Sequence, residues 1–246
     1  MVKLEICCGD FHSLLAAFEG GADRAELCMG LPEGGLTPSA GLLAMSEAVT
    51  IRKHILIRPR SGDFLYDEAE LRQMEADIRA AHKAGADAIV CGALTPQGDV
   101  DTQAMCRFIE AADGLPLTFH RAFDLCRCPD EALEQIVELG CASLLTSGCA
   151  PTAVEGADTI RRLQQKFGHR IEIIAAAGIT PDNAAQVISH TGVSAVHASA
   201  SGWIDSRMRF RSTAAAMGPA DTPDYRRRTT MASTVRTLRN LLDTME

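Results

Sequence analysis

Short apolar runs rich in β-branched residues begin near residues 4, 25, 55, 87, 116, 143, 171 and 194, with amphipathic Ala/Leu/Glu/Arg-rich stretches between them. Their spacing, about 27 residues, is close to one strand–helix step. Eight such units of even spacing predict an α/β protein folded as a closed (β/α)8 TIM barrel, with an open doubly wound sheet as the alternative. The length of 246 residues suits the barrel, since that fold takes about 250. Four junctions repeat one grammar: Gly21-Ala22-Asp23, Gly85-Ala86-Asp87, Gly140-Cys141-Ala142 and Gly192-Val193-Ser194. Each glycine stands where a helix ends in a left-handed residue and a strand follows. Helices are expected over 67–84, 129–139 and 229–244, with starts marked by Ser39, Asp101 and Thr180-Pro181-Asp182. The whole chain, 1–246, reads as a single barrel domain with an irregular segment over 206–228 before the last helix.

Composition narrows the functional classes. A net charge of −8 argues against nucleic acid and anionic membranes as partners. No apolar run reaches the roughly 18 residues of a membrane span, and the first five residues lack a signal-peptide core, so a cytoplasmic protein is expected. Nine cysteines, an odd and scattered set, are expected as reduced thiols. Lys3, Lys53, Lys83 and Lys166 are the only lysines, and none falls at a strand end. A Schiff-base or pyridoxal-phosphate mechanism therefore has no nucleophile. Without Gly-x-Gly-x-x-Gly or Gly-x-Ser-x-Gly, neither a dinucleotide site nor a serine hydrolase is indicated, and no organic cofactor is expected.

Residues 117–124, Leu-Thr-Phe-His-Arg-Ala-Phe-Asp, are a strand-length run ending in an imidazole, a guanidinium and a carboxylate. Strand C-termini carry the chemistry in parallel α/β folds. Side-chain alternation puts Glu5 with Cys7, Arg24 with Glu26 and Cys28, His54 and Leu56 with Arg58 and Arg60, Thr118 with His120, Leu145 with Ser147, and His197 with Ser199. If these sets point inward, one mouth holds Glu5, Glu26 and Asp63 or Asp124 beside several arginines and two histidines. Barrel interiors are normally filled by branched apolar side chains, so this crowding marks a site.

His120 is expected as a general acid/base oriented by Asp124 or Glu26, with Glu5 beside them. Arg24, Arg58, Arg60 and Arg121 would clamp a carboxylate or phosphate, with Ser147 and His197 on the same wall. Gly178 and Ser199, after the seventh and eighth runs, would donate to a terminal phosphate, as loops there commonly do in barrels. Glu26 with Arg24 or Arg58 reads equally well as a structural ion pair. His54, at the opposite strand end, is expected in the core or at the surface. Cys91, Cys106 and Cys141 are expected to be small buried hydrophobes. Cys126 and Cys128 lack partners at zinc-finger spacing. Cys7 and Cys28, on adjacent strands, could hold Cu(I) or simply pack together.

The segments from Leu4-Glu-Ile-Cys-Cys8 onward resemble the CutC copper-homeostasis family over almost the whole chain. The resembling blocks are Gly21-Ala-Asp-Arg-Ala-Glu-Leu-Cys28, Glu33-Gly-Gly-Leu-Thr-Pro-Ser39, Ile57-Arg-Pro-Arg-Ser-Gly-Asp-Phe64, Thr118-Phe-His-Arg-Ala-Phe-Asp124, Leu145-Thr-Ser-Gly148 and Ala177-Gly-Ile179. The resemblance implies a (β/α)8 barrel, a cytoplasmic location, a homo-oligomer (dimer or tetramer) and an association with copper, as Cu(I) bound through cysteines. Ser61 and Ala176 depart from it, standing where that family is richer in glycine. Two readings follow: a copper-handling protein using Cys7 and Cys28, or an enzyme acting on a small phosphorylated or carboxylated metabolite.

Overall fold

Each apolar run becomes a strand in the computed structural model, which describes residues 2–212, 214 and 223–245. The strands are β1 (Lys3–Cys8), β2 (Arg24–Leu27), β3 (Arg52–Leu56), β4 (Ala88–Cys91), β5 (Leu117–Phe119), β6 (Ser143–Thr146), β7 (Glu172–Ala175) and β8 (Ala195–Ala198). Each pairs in parallel with its sequence neighbours, and β1 also pairs with β8, so the sheet closes into the expected barrel. The returning helices are α1 (Phe11–Gly20), α2 (Ala40–Ser46), α3 (Glu68–Lys83), α4 (Thr102–Ala112), α5 (Pro129–Glu138), α6 (Ala157–Phe167), α7 (Ala184–Thr191) and α8 (Ala232–Asp243).

Local chemistry sets these boundaries. Asp67 accepts from the Glu70 N–H while the Glu70 side chain reaches back to the Asp67 N–H, a capping box that fixes the start of α3. Ser39 and Asp101 cap α2 and α4 as anticipated. All four junction glycines take left-handed φ, between 75° and 86°. The Thr180 start is corrected: Asn183 Oδ1 accepts from the Thr180 N–H and its Nδ2 donates to the Gly178 carbonyl, tying 180–183 into a turn that delays α7 to Ala184.

The apolar core lies between barrel and helices, where alternate strand residues such as Leu4, Ile6, Ile55, Ile89 and Phe119 meet the helix faces. The other parity faces the barrel axis. Gly20 lets α1 and α8 come together, because a Cβ there would sit 2.4 Å from Val235 Cβ. Arg239 on α8 then reaches Asp23 and the Val2 carbonyl, fastening the last helix to the residues that lead into β2 and β1. Between β8 and α8 a hairpin is inserted: β9 (Ser201–Asp205) pairs antiparallel with β10 (Arg226–Thr230). The stretch expected to be irregular, 206–228, therefore ends inside a strand, because Arg226 to Arg228 register against Asp205 to Trp203; positions 213 and 215–222 lie outside the described residues. Among the described residues no helix is long and apolar enough to cross a membrane.

Candidate functional site in the barrel mouth

Glu5, in the middle of β1, is the hub of a buried ionic layer. Its carboxylate accepts from Arg24 Nε at 2.7 Å and His197 Nδ1 at 2.7 Å, and lies 3.1 Å from His54 Nδ1. Strand register explains this: Glu5 sits beside Arg24 on β2 and His197 on β8. Burial alone would raise the Glu5 carboxyl, but the hydrogen bond from His197, the adjacent His54 ring and the charges of His197 and Arg24 hold it well below the usual range. Arg24 also donates to Glu172, which Lys3 shares. Arg24 thus belongs to this layer, pairing with Glu5 and Glu172 rather than with Glu26, and does not line the mouth. His54, buried, belongs to the same layer.

Above the layer lies a cavity of about 150 Å³, the scale that holds a benzene-sized ligand. Cys7, Glu26, Arg58, His120, Arg121 and His197 line it, with Leu31, Leu56 and Phe64 as the apolar part. Burial pushes the Glu26 carboxyl up to about 7; His197 opposes the rise and the Glu5 charge adds to it. His197 lies 3.9 Å from Glu26. Burial disfavours its charge, yet Glu26, the Cys7 thiol and Glu5 together raise it well above the ordinary imidazole value.

His120 follows β5 and is buried. Gly92 at the end of β4 makes room for it, since a Cβ there would meet His120 Nδ1 at 2.7 Å. The Phe64 ring packs against the other side at 4.8 Å. Nδ1 accepts from the Ala122 N–H at 3.2 Å, which puts the neutral ring's proton on Nε2. That Nε2 is buried with no partner among the described residues. Desolvation and the Arg58 charge lower the His120 pKa to about 3. Burial thus favours the neutral form of the His120 ring, while the Glu26 carboxyl beside it in the cavity is the group raised toward neutrality.

Several expected site residues lie elsewhere. Asp124 touches neither His120 nor the cavity; it accepts from Arg121 Nε, Thr146 Oγ1, the Ser147 N–H and hydroxyl, and the Cys149 N–H. It positions Arg121, whose Nη2 also donates to Ser147 Oγ. Ser147 is fully buried in that cluster and serves as a strut. Arg60 turns outward to Glu70 and Asp63 and stacks on Tyr66. Asp63 is exposed beside it. Arg58 spends Nη1 on the Glu33 and Gly35 carbonyls and Nη2 on Gly62, pinning two loops over the mouth; among the described residues its Nε has no partner. Gly178 is exposed, and Ser199 bonds Ser201 under the hairpin, so neither faces the cavity.

Sequence reasoning missed Phe64 and the loop around Gly35, because both lie beyond strand ends where alternation carries no information. Glu172 was also missed, although it shares parity with Ile174 and Ala176, which face the axis.

Cys7 and Cys28 share one small cluster with Leus 31 and 56 and Val90. Cys7 opens on the cavity, whereas Cys28 is fully buried, its thiol 3.7 Å from the Cys8 carbonyl and raised well above the ordinary value by burial and then Glu26. Cys91 and Cys141 are buried as expected, but Cys106 is exposed on the outer face of α4. Glu5, Glu26 and His197 bring donor atoms within 4.8 Å of one another, the spacing of a metal triad. Arg24 already supplies Glu5 with a positive charge, so charge balance there does not require an ion.

A family model described as the CutC family matches residues 2–202. CutC family proteins of Bacteroides thetaiotaomicron and Chromobacterium violaceum are 44% and 45% identical, over 95% and 98% of this chain and the same shares of theirs. A solved structure described as a copper homeostasis protein CutC, from Streptococcus agalactiae, is 34% identical and superposes with a TM-score of 0.77, covering 81% of this chain and 99% of its own. Phosphoribosylanthranilate isomerase of Thermotoga maritima, 10% identical with a TM-score of 0.60 over 99% of this chain and 100% of its own, shares the barrel alone. The barrel and near-full-length identity agree with the family model, and the chain belongs to the CutC family.

Proposed function

We propose that the barrel mouth is an enzyme site that moves a proton on a small carboxylate bearing a carbonyl group. The observation that carries this reading is the pairing, in one cavity, of a carboxyl with a pKa of about 7 and a buried imidazole N–H that has no partner among the described residues. Glu26 takes the proton from the carbon next to the carbonyl. His120 Nε2–H donates to the carbonyl oxygen, where negative charge develops; a neutral imidazole is suited to that task. Arg121 lies at the rim to meet the carboxylate. A phosphate is disfavoured by the small volume and by Gly178 and Ser199 lying off the cavity.

The test is solvent deuterium exchange into a panel of small 2-oxo and 3-oxo acids, followed by proton NMR. Exchange is expected with at least one, rising with pH through about 7 as Glu26 ionises. Glu26→Gln should slow it by ~10²–10⁴-fold. No exchange with any member would overturn the proposal.

A second reading is favoured by Cys7 and Cys28, two soft donors in one cluster. The S. agalactiae relative is described as a copper homeostasis protein, and the pair would take Cu(I) as cargo in a cytoplasmic, self-associating protein. Titration of reduced protein with Cu(I) against a competing chelator should give binding that is lost in both Cys7→Ser and Cys28→Ser. Unchanged affinity in both would remove the site, and light scattering on the same samples reports self-association.

A further inference from the structure

Two thiols used by neither reading meet on the rim. Cys126 closes the short turn Arg121–Leu125 after β5, and Cys149 stands in the turn after β6. The Cys126 N–H donates to the Phe123 carbonyl at 3.1 Å, and Cys149 Sγ lies 3.8 Å from the same oxygen. The Phe123 carbonyl oxygen thus brings Cys126 and Cys149 together at one point of the rim. Cys149 is held in a left-handed conformation, φ 58°, which residues with a side chain rarely adopt. Its N–H donates to Asp124 Oδ1, which anchors the unusual backbone. Backbone strain of this kind concentrates at working positions. Cys149 is exposed, whereas Cys126 is half-buried behind it.

Exposure distinguishes the two sulfurs, Cys149 being the accessible one. The neighbouring Cys126 lowers the Cys149 thiol, against burial and the Asp124 charge, while Cys149 and burial push Cys126 up. An accessible sulfur of thiolate character beside a protonated second thiol is the arrangement of an exchanging dithiol.

We propose that Cys126 and Cys149 form a redox-active dithiol that exchanges with small disulfides of the glutathione class, Cys149 being the attacking sulfur and Cys126 the resolving one. Cys149 attacks one sulfur of the small disulfide, breaking its S–S bond and forming a mixed disulfide, and the first small thiolate leaves and takes up a proton. Cys126 then gives up its proton and attacks Cys149 Sγ, and the second small thiol leaves. One small disulfide is reduced to two thiols while the two cysteine thiols become one disulfide; excess small thiol reverses both steps. The bridge ties the β5 turn to the β6 turn around Asp124, the residue that positions Arg121 at the cavity.

Reduced full-length protein is treated with glutathione disulfide, quenched with iodoacetamide and peptide-mapped by mass spectrometry. A Cys126–Cys149 linked peptide is expected, and Cys126→Ser should instead trap glutathione on Cys149. Without any substitution, Cys149 should alkylate roughly fivefold faster than Cys106, the other exposed thiol. Equal rates at Cys149 and Cys106, a bridge that leaves out either cysteine, or glutathione spread evenly over both exposed thiols in Cys126→Ser would each overturn the assignment.

Discussion

Glu5→Gln is expected to cost the protein about 3–5 kcal/mol, because it removes the shared partner of a buried cation cluster. Arg24 Nε and His197 Nδ1 both donate to Glu5 at 2.7 Å, and Glu5 is only 1% exposed. A glutamine is the same size, but its NH2 must face one of these donors. Arg24 retains Glu172, so the damage centres on His197 and Arg24 Nε. For a chain of this size the loss corresponds to a fall in Tm of about 10 °C. Urea denaturation at pH 7 measures it directly, and a loss below about 1 kcal/mol would mean that the network is not what holds the barrel interior together. Replacing Glu5 and Arg24 together by leucine should recover much of the loss, since a buried ion pair is often matched by apolar packing.

Glu26→Gln is expected to act in the opposite direction, stabilising the protein at alkaline pH by about 2–3 kcal/mol. The Glu26 carboxyl rises from an ordinary 4.5 to about 7 on folding. Between those values the native state keeps a proton that the unfolded chain has released. Stability therefore declines as pH rises through that window, and the cost is complete above about 7. Glutamine has no proton to lose, so the variant should match the parent near pH 4.5 and exceed it at pH 8.5. Part of the gain is offset because the Glu26 charge supports the His197 imidazolium, whose own contribution is full below 6.5 and fades as pH rises through its raised folded value. Urea midpoints at the two pH values decide the matter; a difference independent of pH would show that Glu26 does not titrate as described. A residue that destabilises its own protein while facing a cavity is the usual signature of function outweighing stability.

Much of the barrel was legible because its signals are local and repeated. Strand starts inferred near 4, 25, 55 and 143 lie within three residues of Lys3, Arg24, Arg52 and Ser143. Side-chain alternation turned Glu5, Glu26, His120 and His197 toward the axis, where the ionic layer and the cavity lining hold them. It failed where the backbone stops being extended. β3 ends at Leu56, and the chain past Pro59 swings Arg60 outward to Glu70. The pairing of Arg24 was misjudged for a related reason. Residues two apart on one strand stand almost 7 Å apart, whereas neighbours in register across strands are about 5 Å apart. Glu5 is such a neighbour of Arg24 and Glu26 is not. The protonation states of His120 and Glu26 were beyond sequence altogether, since they depend on burial and on charges brought together by closure.

The seam between β8 and β1 also governs the order in which the molecule can be completed during synthesis. The chain leaves the ribosome from its N-terminus, so β1 must wait with one edge unpaired until β8 has been made. α8, which Arg239 ties to the start of β1 through the Val2 carbonyl, comes later still. His197, contributed by β8, then brings the second cation to Glu5. The nascent chain thus carries an exposed strand edge and a carboxylate without its His197 partner until β8 has been made. In that interval a holding chaperone has its clearest opportunity, and a premature stop before α8 is most damaging.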